Sequence, residues 1–258
     1  MSQPPARVER DGPLATIVIE HPPLNLFGEP LVRALDEAVG EVERSDARAM
    51  MIRAVGRVFT GGADVHGFDG LTPAEASSGF EAGLELIHRI EALPMPTLSA
   101  VHSLCLTAGF ELSLACDLIW AAESAQFGLV EAVVGLTPGW GGTQRLAERA
   151  GPARARELVM SGRLYEAAAL ERWNVVSRVL PDAELQEKAT RFAHQLASGP
   201  TLAHVATKAV LRAFREGGVE ADRRTPAIIG PLFGTVDLRN AVQSFLSEGP
   251  GKARFEGR

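Results

Sequence analysis

Two glutamates sit in apolar runs of this chain: Glu111 in Phe110-Glu111-Leu112 and Glu131 in Leu129-Val130-Glu131-Ala132-Val133. A carboxylate in such surroundings is costly to keep charged, so its pKa rises toward neutrality, where it can give and take protons. Just before Glu111, the small residues Thr107-Ala108-Gly109 open a helix. Just after Glu131, the glycine-rich turn Pro138-Gly139-Trp140-Gly141-Gly142-Thr143 opens another. Helix starts leave backbone N–H groups without intrahelical acceptors. Two carboxylates beside two such starts form the pattern of an acid/base site next to an anion cradle.

Each residue also has a plainer reading. Glu111 could be a helix-surface carboxylate, although Phe110, Leu112 and Leu114 argue for burial. Glu131 could be a helix-start acid favoured by the dipole. Trp140 reads as a core aromatic or as a pocket wall, with the core slightly preferred. Gly61-Gly62, in Val58-Phe59-Thr60-Gly61-Gly62-Ala63-Asp64, permit close approach of a ligand; taken alone they read as an ordinary turn. His102 and Asp64 read as structural.

The elements that must position these residues follow from periodicity. Ala6 to Glu20 reads as a hairpin around Asp11-Gly12. Leu31, Leu35, Ala38, Val39 and Val42 recur at helical spacing and predict a helix over 29–44. Ala49–Ala54 is a short buried strand. Thr72-Pro73-Ala74-Glu75 is a helix start, with Thr72 as N-cap and Glu75 closing a capping box. That helix runs to about Glu91. Thr97–His102 and Leu118–Ala122 are further apolar strands, and Asn174–Leu180 is a last strand candidate. Helices dominate after Gly142, with breaks at Gly151-Pro152 and Ser198-Gly199-Pro200. Strands alternating with helices imply α/β architecture. No linker, low-complexity run or helix-type tandem repeat is visible.

Composition sets the bounds. With 258 residues, 46% of them hydrophobic and 22% charged, the chain has the make-up of a soluble globular protein. A net charge of -6 argues against nucleic-acid or anionic-membrane partners. Cys105 and Cys116 read as buried free thiols in a reducing compartment. The first residues, MSQPPARVERDG, lack the apolar run of a secretory signal, and the cytoplasm is the expected location. The GxGxxG spacing fails at Gln144, no GxSxG occurs, and the six His residues show no metal-ligand spacing. No metal and no cofactor are therefore expected.

Three segments resemble the crotonase (enoyl-CoA hydratase/isomerase) superfamily. They are Phe59–Val65, Ala100–Leu112 with Cys116-Asp117, and Phe127–Glu131 through Gly135–Leu146; Pro23-Leu24-Asn25 fits as well. The resemblance implies a crotonase-type spiral of β-β-α units over 1–195, carrying the acyl-CoA site. A helical trimerisation region over 196–258 would follow, assembled as a homotrimer or a dimer of trimers. The substrate would be an acyl thioester, with coenzyme A part of the substrate rather than a cofactor. The Ala63 and Ala108 backbone N–H groups would form the oxyanion hole. Glu111 would activate water for attack at the β-carbon, Glu131 would deliver a proton to the α-carbon, and the Gly139 N–H would position the water. Pro23, Leu24, Gly61, Gly62, Asp64, Val65, Thr107, Trp140 and Lys252 would contact the acyl-CoA.

The chain departs from the pattern in having Thr107-Ala108 where the family has glycines, and in its C-terminal Phe245–Lys252, which lacks the usual run of lysines and arginines. An enoyl-CoA hydratase, or a related hydroxyacyl-CoA dehydratase, is the leading expectation. A Δ3-Δ2-enoyl-CoA isomerase needs one base, and the presence of Glu111 counts against it. A non-catalytic CoA-binding or assembly protein is the alternative of another class.

Overall fold

The computed structural model describes residues 3–258. The chain opens with the expected hairpin, β1 (Ala6–Asp11) and β2 (Leu14–Ile19), paired from Ala6↔Ile19 to Asp11↔Leu14. The register makes the turn pair Gly12-Pro13 instead of Asp11-Gly12. Gly12 takes φ +55°, and glycine is favoured at the first central position of so tight a turn. α1 (Glu29–Glu43) carries the chain back to β3 (Ala49–Ala54), which pairs in parallel with β2. α2 (Pro73–Ala92) begins at the Thr72 capping box, with both reciprocal hydrogen bonds formed.

β4 (Thr97–Val101), β5 (Leu104–Leu106), α3 (Thr107–Ala115), β6 (Leu118–Ala122) and β7 (Gln126–Gly128) then follow in close succession. After them come α4 (Gly142–Ala150), α5 (Pro152–Ser161), β8 (Tyr165–Glu166), α6 (Ala167–Arg172) and β9 (Arg178–Leu180). The chain closes with α7 (Leu185–Ala197), α8 (Thr201–Phe214), α9 (Gly218–Ile229) and α10 (Val236–Glu248).

The main sheet has the order β1-β2-β3-β4-β6-β9, parallel except for β1, and a small second sheet has the order β5-β7-β8. β2 and β4 are buried along their whole length, as near-continuous apolar strands covered on both faces must be. α7 packs across β2, β3, β4 and β6.

Four main-sheet strands, β2, β3, β4 and β6, each hand on to a short extended stretch and then to a helix. β4 leads to β5 and α3, and β6 leads to β7 and then α4. The same step recurs earlier as single bridges: Phe27 pairs with Ala63 after β2, and Thr60 pairs with Cys105 after β3. This is the repeating β-β-α unit. Its second strand is one to three residues long, too short to carry a hydrophobic period in the sequence.

The strand expected over Asn174–Leu180 forms only over Arg178–Leu180. Asn174 instead turns left-handed at φ +62° and ends α6. Its N–H bonds the Glu171 carbonyl at 3.0 Å, and the Val175 N–H bonds the Leu170 carbonyl at 2.9 Å. That is a Schellman cap, and the apolar pair Val175-Val176 is buried as its plug.

Candidate active site

β5 delivers the chain to α3 through Thr107, a β-branched residue held at φ +44°. All nine residues of α3 are buried. Glu111, one turn in, is 2% exposed. Its Oε1 accepts hydrogen bonds from the backbone N–H groups of Trp140 and Gly142, each at 2.8 Å. Burial pushes the Glu111 carboxyl up to about 7; the Gly142 and Trp140 donors oppose that rise and the charge of Glu131 adds to it.

Glu131 follows β7 and opens a single 3-10 turn, Glu131–Val134. Burial pushes its carboxyl up to about 6. Its Oε2 is buried with no hydrogen-bond partner among the described residues. A buried bare carboxylate oxygen is costly, so the atom is poised to hold a proton or meet a ligand.

Both carboxyls face one cavity of about 490 Å³, within the range of small-molecule sites. Its walls are mainly apolar, with Phe27, Phe68, Phe80 and Trp140 the aromatic members. Trp140 is both a wall and a packing residue: it meets Phe27 edge-on at 5.9 Å and packs against the core.

Ala63, Ala108, Gly139, Gly61, Val65 and Thr107 line the same cavity as Glu111, Glu131 and Trp140. Pro23, Leu24, Gly62, Asp64 and Lys252 do not. Leu24 lies behind Gly61 and accepts its N–H at 2.7 Å. The Asp64 carboxylate caps the short turn after it, accepting from the His66 backbone N–H at 3.2 Å. Gly62 is buried against Thr107. Lys252 is exposed in a tail that fastens where Arg48 donates to the Phe255 carbonyl at 3.0 Å, beside the start of β3. One wall of the cavity comes from the loop that leaves the other end of that strand.

Ala108, the second residue of α3, has an N–H with no hydrogen-bond partner among the described residues. The Ala63 N–H is engaged: it donates to Thr107 Oγ1 at 2.7 Å. Sequence reasoning treated Thr107 only as a contact and did not anticipate this bond. It also missed the Trp140 and Gly142 donors on Glu111, and the Arg145 that braces their turn. Arg145 is buried, donates to the Gly141 carbonyl at 3.3 Å and pairs with Glu91 at 2.8 Å. An arginine one helical turn after Gly141 was the available signal.

The arrangement can exchange two protons across an apolar slot while an N–H donor binds an oxygen nearby. The sequence profile described as enoyl-CoA hydratase/isomerase matches residues 9–258. The chain is 29% identical over 258 residues to the short-chain-enoyl-CoA hydratase of Clostridium acetobutylicum, covering 97% of this chain and 96% of that one. It is 36% identical over 219 residues to the carnitinyl-CoA dehydratase of Salmonella enteritidis, covering 83% of each. The crystal structure of an enoyl-CoA hydratase from Bacillus anthracis superposes with a TM-score of 0.88 at 26% identity, covering 98% of this chain and 100% of that one.

Proposed function

The chain belongs to the enoyl-CoA hydratase/isomerase family, and from that premise we propose that it is an enoyl-CoA hydratase. It adds water reversibly and syn to a 2-enoyl-CoA thioester, giving the 3-hydroxyacyl-CoA. The observation that carries this reading is the pair Glu111 and Glu131 on one cavity, both with raised pKa values. An isomerase needs only one base. A CoA-binding scaffold needs no carboxylate there, and one buried and one half-buried carboxylate would cost it stability for no return.

In the proposed reaction the thioester carbonyl oxygen binds where Ala63, Thr107 and Ala108 line the cavity, with the Ala108 N–H free to donate to it. Water lies between the two carboxyls, with Gly139 lining its place. Glu111, as the carboxylate, takes a proton from the water as the water oxygen bonds to the β-carbon. The π electrons of the double bond pass into an enolate on the thioester. Glu131 gives its proton to the α-carbon and the carbonyl re-forms. The Trp140 and Gly142 donors on Oε1 favour the ionised form of Glu111 but leave its carboxyl at about 7, above that of Glu131 at about 6. The reacting arrangement, with the proton on Glu131, is therefore the less populated one. The bare Oε2 of Glu131 suits the acid. Two interacting carboxyls share their protons, so the pair titrates as a unit. Each acid/base role is worth ~10²–10⁴ in rate.

Dehydration of a 3-hydroxyacyl-CoA is the same path reversed. It is the second reading, favoured by the 36% identity to a carnitinyl-CoA dehydratase. No helix among the described residues is long and apolar enough to cross a membrane, and we place the reaction in the cytoplasm. A homotrimer or a dimer of trimers is the assembly we infer. Phe214, Phe233, Phe245 and Leu246, all in the last 48 residues, are exposed in the single chain and need cover.

The test is a panel of 2-enoyl-CoA thioesters of increasing length, followed by loss of the conjugated enoyl absorbance. Loss that requires both Glu111 and Glu131 supports the hydratase. Tight binding of every ester with no loss of absorbance refutes it.

A further inference from the structure

Four consecutive N–H groups run along Gly61–Asp64, beside the cavity. Three of them bond to nearby oxygens: Gly61 to the Leu24 carbonyl at 2.7 Å, Gly62 to Thr60 Oγ1 at 2.9 Å, and Asp64 to the Phe27 carbonyl at 3.2 Å. The fourth, Ala63, bonds across to Thr107 Oγ1 at 2.7 Å. The thioester oxygen expected to accept from Ala63 therefore finds a hydroxyl already there.

Two features show that this hydroxyl is built into its place. Thr107 holds φ +44°, in the left-handed region that a β-branched residue rarely enters. Strain of that kind persists only where the surroundings enforce it, and it concentrates at working sites. Gly62, at φ +97°, leaves the space: a Cβ there would lie 2.4 Å from Thr107 Oγ1 and 3.3 Å from Thr107 Cγ2. The threonine and the glycine fit each other.

The Thr107 hydroxyl accepts one hydrogen bond and has a proton of its own to place. It has no acceptor for that proton among the described residues, and Thr107 lines the cavity next to Ala108. A hydroxyl that accepts from an N–H becomes a better donor in turn. We propose that the Thr107 hydroxyl is itself a donor of the oxyanion hole, acting with the Ala108 N–H and polarised from behind by the Ala63 N–H. This rests on the reading of the substrate as an enoyl thioester. The oxyanion then lies one hydrogen bond farther from Ala63 than a direct contact would put it, displaced toward the centre of the cavity.

The unaltered chain, Thr107→Ser, Thr107→Val and Thr107→Gly are compared by two readouts. The first is the absorbance of bound 4-dimethylaminocinnamoyl-CoA, a push–pull chromophore whose red shift reports carbonyl polarisation without any turnover. The second is kcat for hydration of a short 2-enoyl-CoA. The unaltered chain and Thr107→Ser are expected to show the red shift. Thr107→Val, which keeps the bulk and blocks Ala63 with a methyl group, is expected to lose the shift and about 10²–10³ in kcat. Thr107→Gly, which frees the Ala63 N–H, is expected to keep a shift.

A Thr107→Val protein with the full shift and kcat within about twofold overturns the proposal, as does a Thr107→Ser protein without the shift. A Thr107→Gly protein exceeding the unaltered chain about tenfold in kcat, with a larger shift, shows that the hydroxyl obstructs the hole, and also overturns it. Absence of a shift in the unaltered chain does the same. Shifts in the expected order with no hydration by any protein sustain the hole and overturn the hydratase reading instead.

Discussion

Glu111 and Gly142 touch so closely that neither could be larger. The Gly142 N–H donates to Glu111 Oε1 at 2.8 Å, and a Cβ on Gly142 would lie 2.8 Å from Glu111 Cγ and 3.0 Å from the same Oε1. The contact joins the start of α4 to the fifth residue of α3 and fixes where the carboxylate sits.

Gly142→Ala tests that contact. Alanine suits a helix start, and the backbone here is not left-handed, so the clash is the only obstacle. The carboxylate must move by several tenths of an ångström. We expect kcat for hydration to fall about 10²-fold, the lower range for a misplaced acid/base group, with far-UV dichroism unchanged. Unchanged kcat would show that Glu111 need not be held there.

Glu131→Gln removes the acid and keeps the shape. Hydration is expected to fall ~10²–10⁴, while binding of a CoA thioester stays within about threefold. Glu111→Gln separates the reactions: a variant that loses hydration but interconverts 3- and 2-enoyl thioesters would turn the assignment toward an isomerase. Turnover by Glu131→Gln at the unaltered rate would sink the two-carboxylate mechanism.

Much of this was legible in the sequence because each signal was local. Periodic apolar residues gave α1, the Thr72–Glu75 box gave the start of α2, and the apolar neighbours of Glu111 and Glu131 foretold both raised pKa values. What escaped was decided across the chain. Asn25 is an example: buried at φ +50°, it donates to the Val55, Val58 and Phe59 carbonyls at 3.0–3.2 Å, tying down the loop that leads to Gly61. Those partners lie 30 to 34 residues away, and no periodicity points to them. β5, β7 and β8 escaped because two or three residues carry no pattern, and Val175-Val176 misled because a buried cap and a buried strand share the same residues. The Ala63–Thr107 bond, 44 residues apart in sequence, needed the second sheet to exist first.

The apolar surface of the last helices predicts assembly. Phe233, Phe245 and Leu246 are 73%, 59% and 80% exposed, which a dilute monomer tolerates poorly. Light scattering coupled to gel filtration is expected to give a mass three or six times 27.5 kDa. Leu246→Asp combined with Phe245→Asp should shift the mass toward the monomer. A monomeric unaltered chain would refute the assembly.

Glu111 also predicts how stability changes with pH. Burial first, with the Glu131 charge adding, raises its carboxyl from 4.5 to about 7, the N–H donors opposing. The folded state therefore binds this proton more tightly than the unfolded chain does. The stabilisation is fully present below the unfolded pKa of 4.5 and is lost as pH rises through about 7. At pH 8 the folded protein carries a buried charge that the unfolded chain keeps in water. Glutamine does not titrate, and its amide oxygen can still accept from Trp140 and Gly142. Glu111→Gln should therefore be more stable than the unaltered protein at pH 8, by about 3 kcal/mol at 1.36 kcal/mol per pKa unit. That advantage should vanish near pH 4.5. Denaturant melts at the two pH values decide it. An equal stability difference at both would mean that the carboxyl is not held out of water, and would remove the reason for treating it as a proton-transfer group. A gain confined to high pH, in a variant that no longer hydrates, would show that the fold gives up stability to keep this charge beside the cavity.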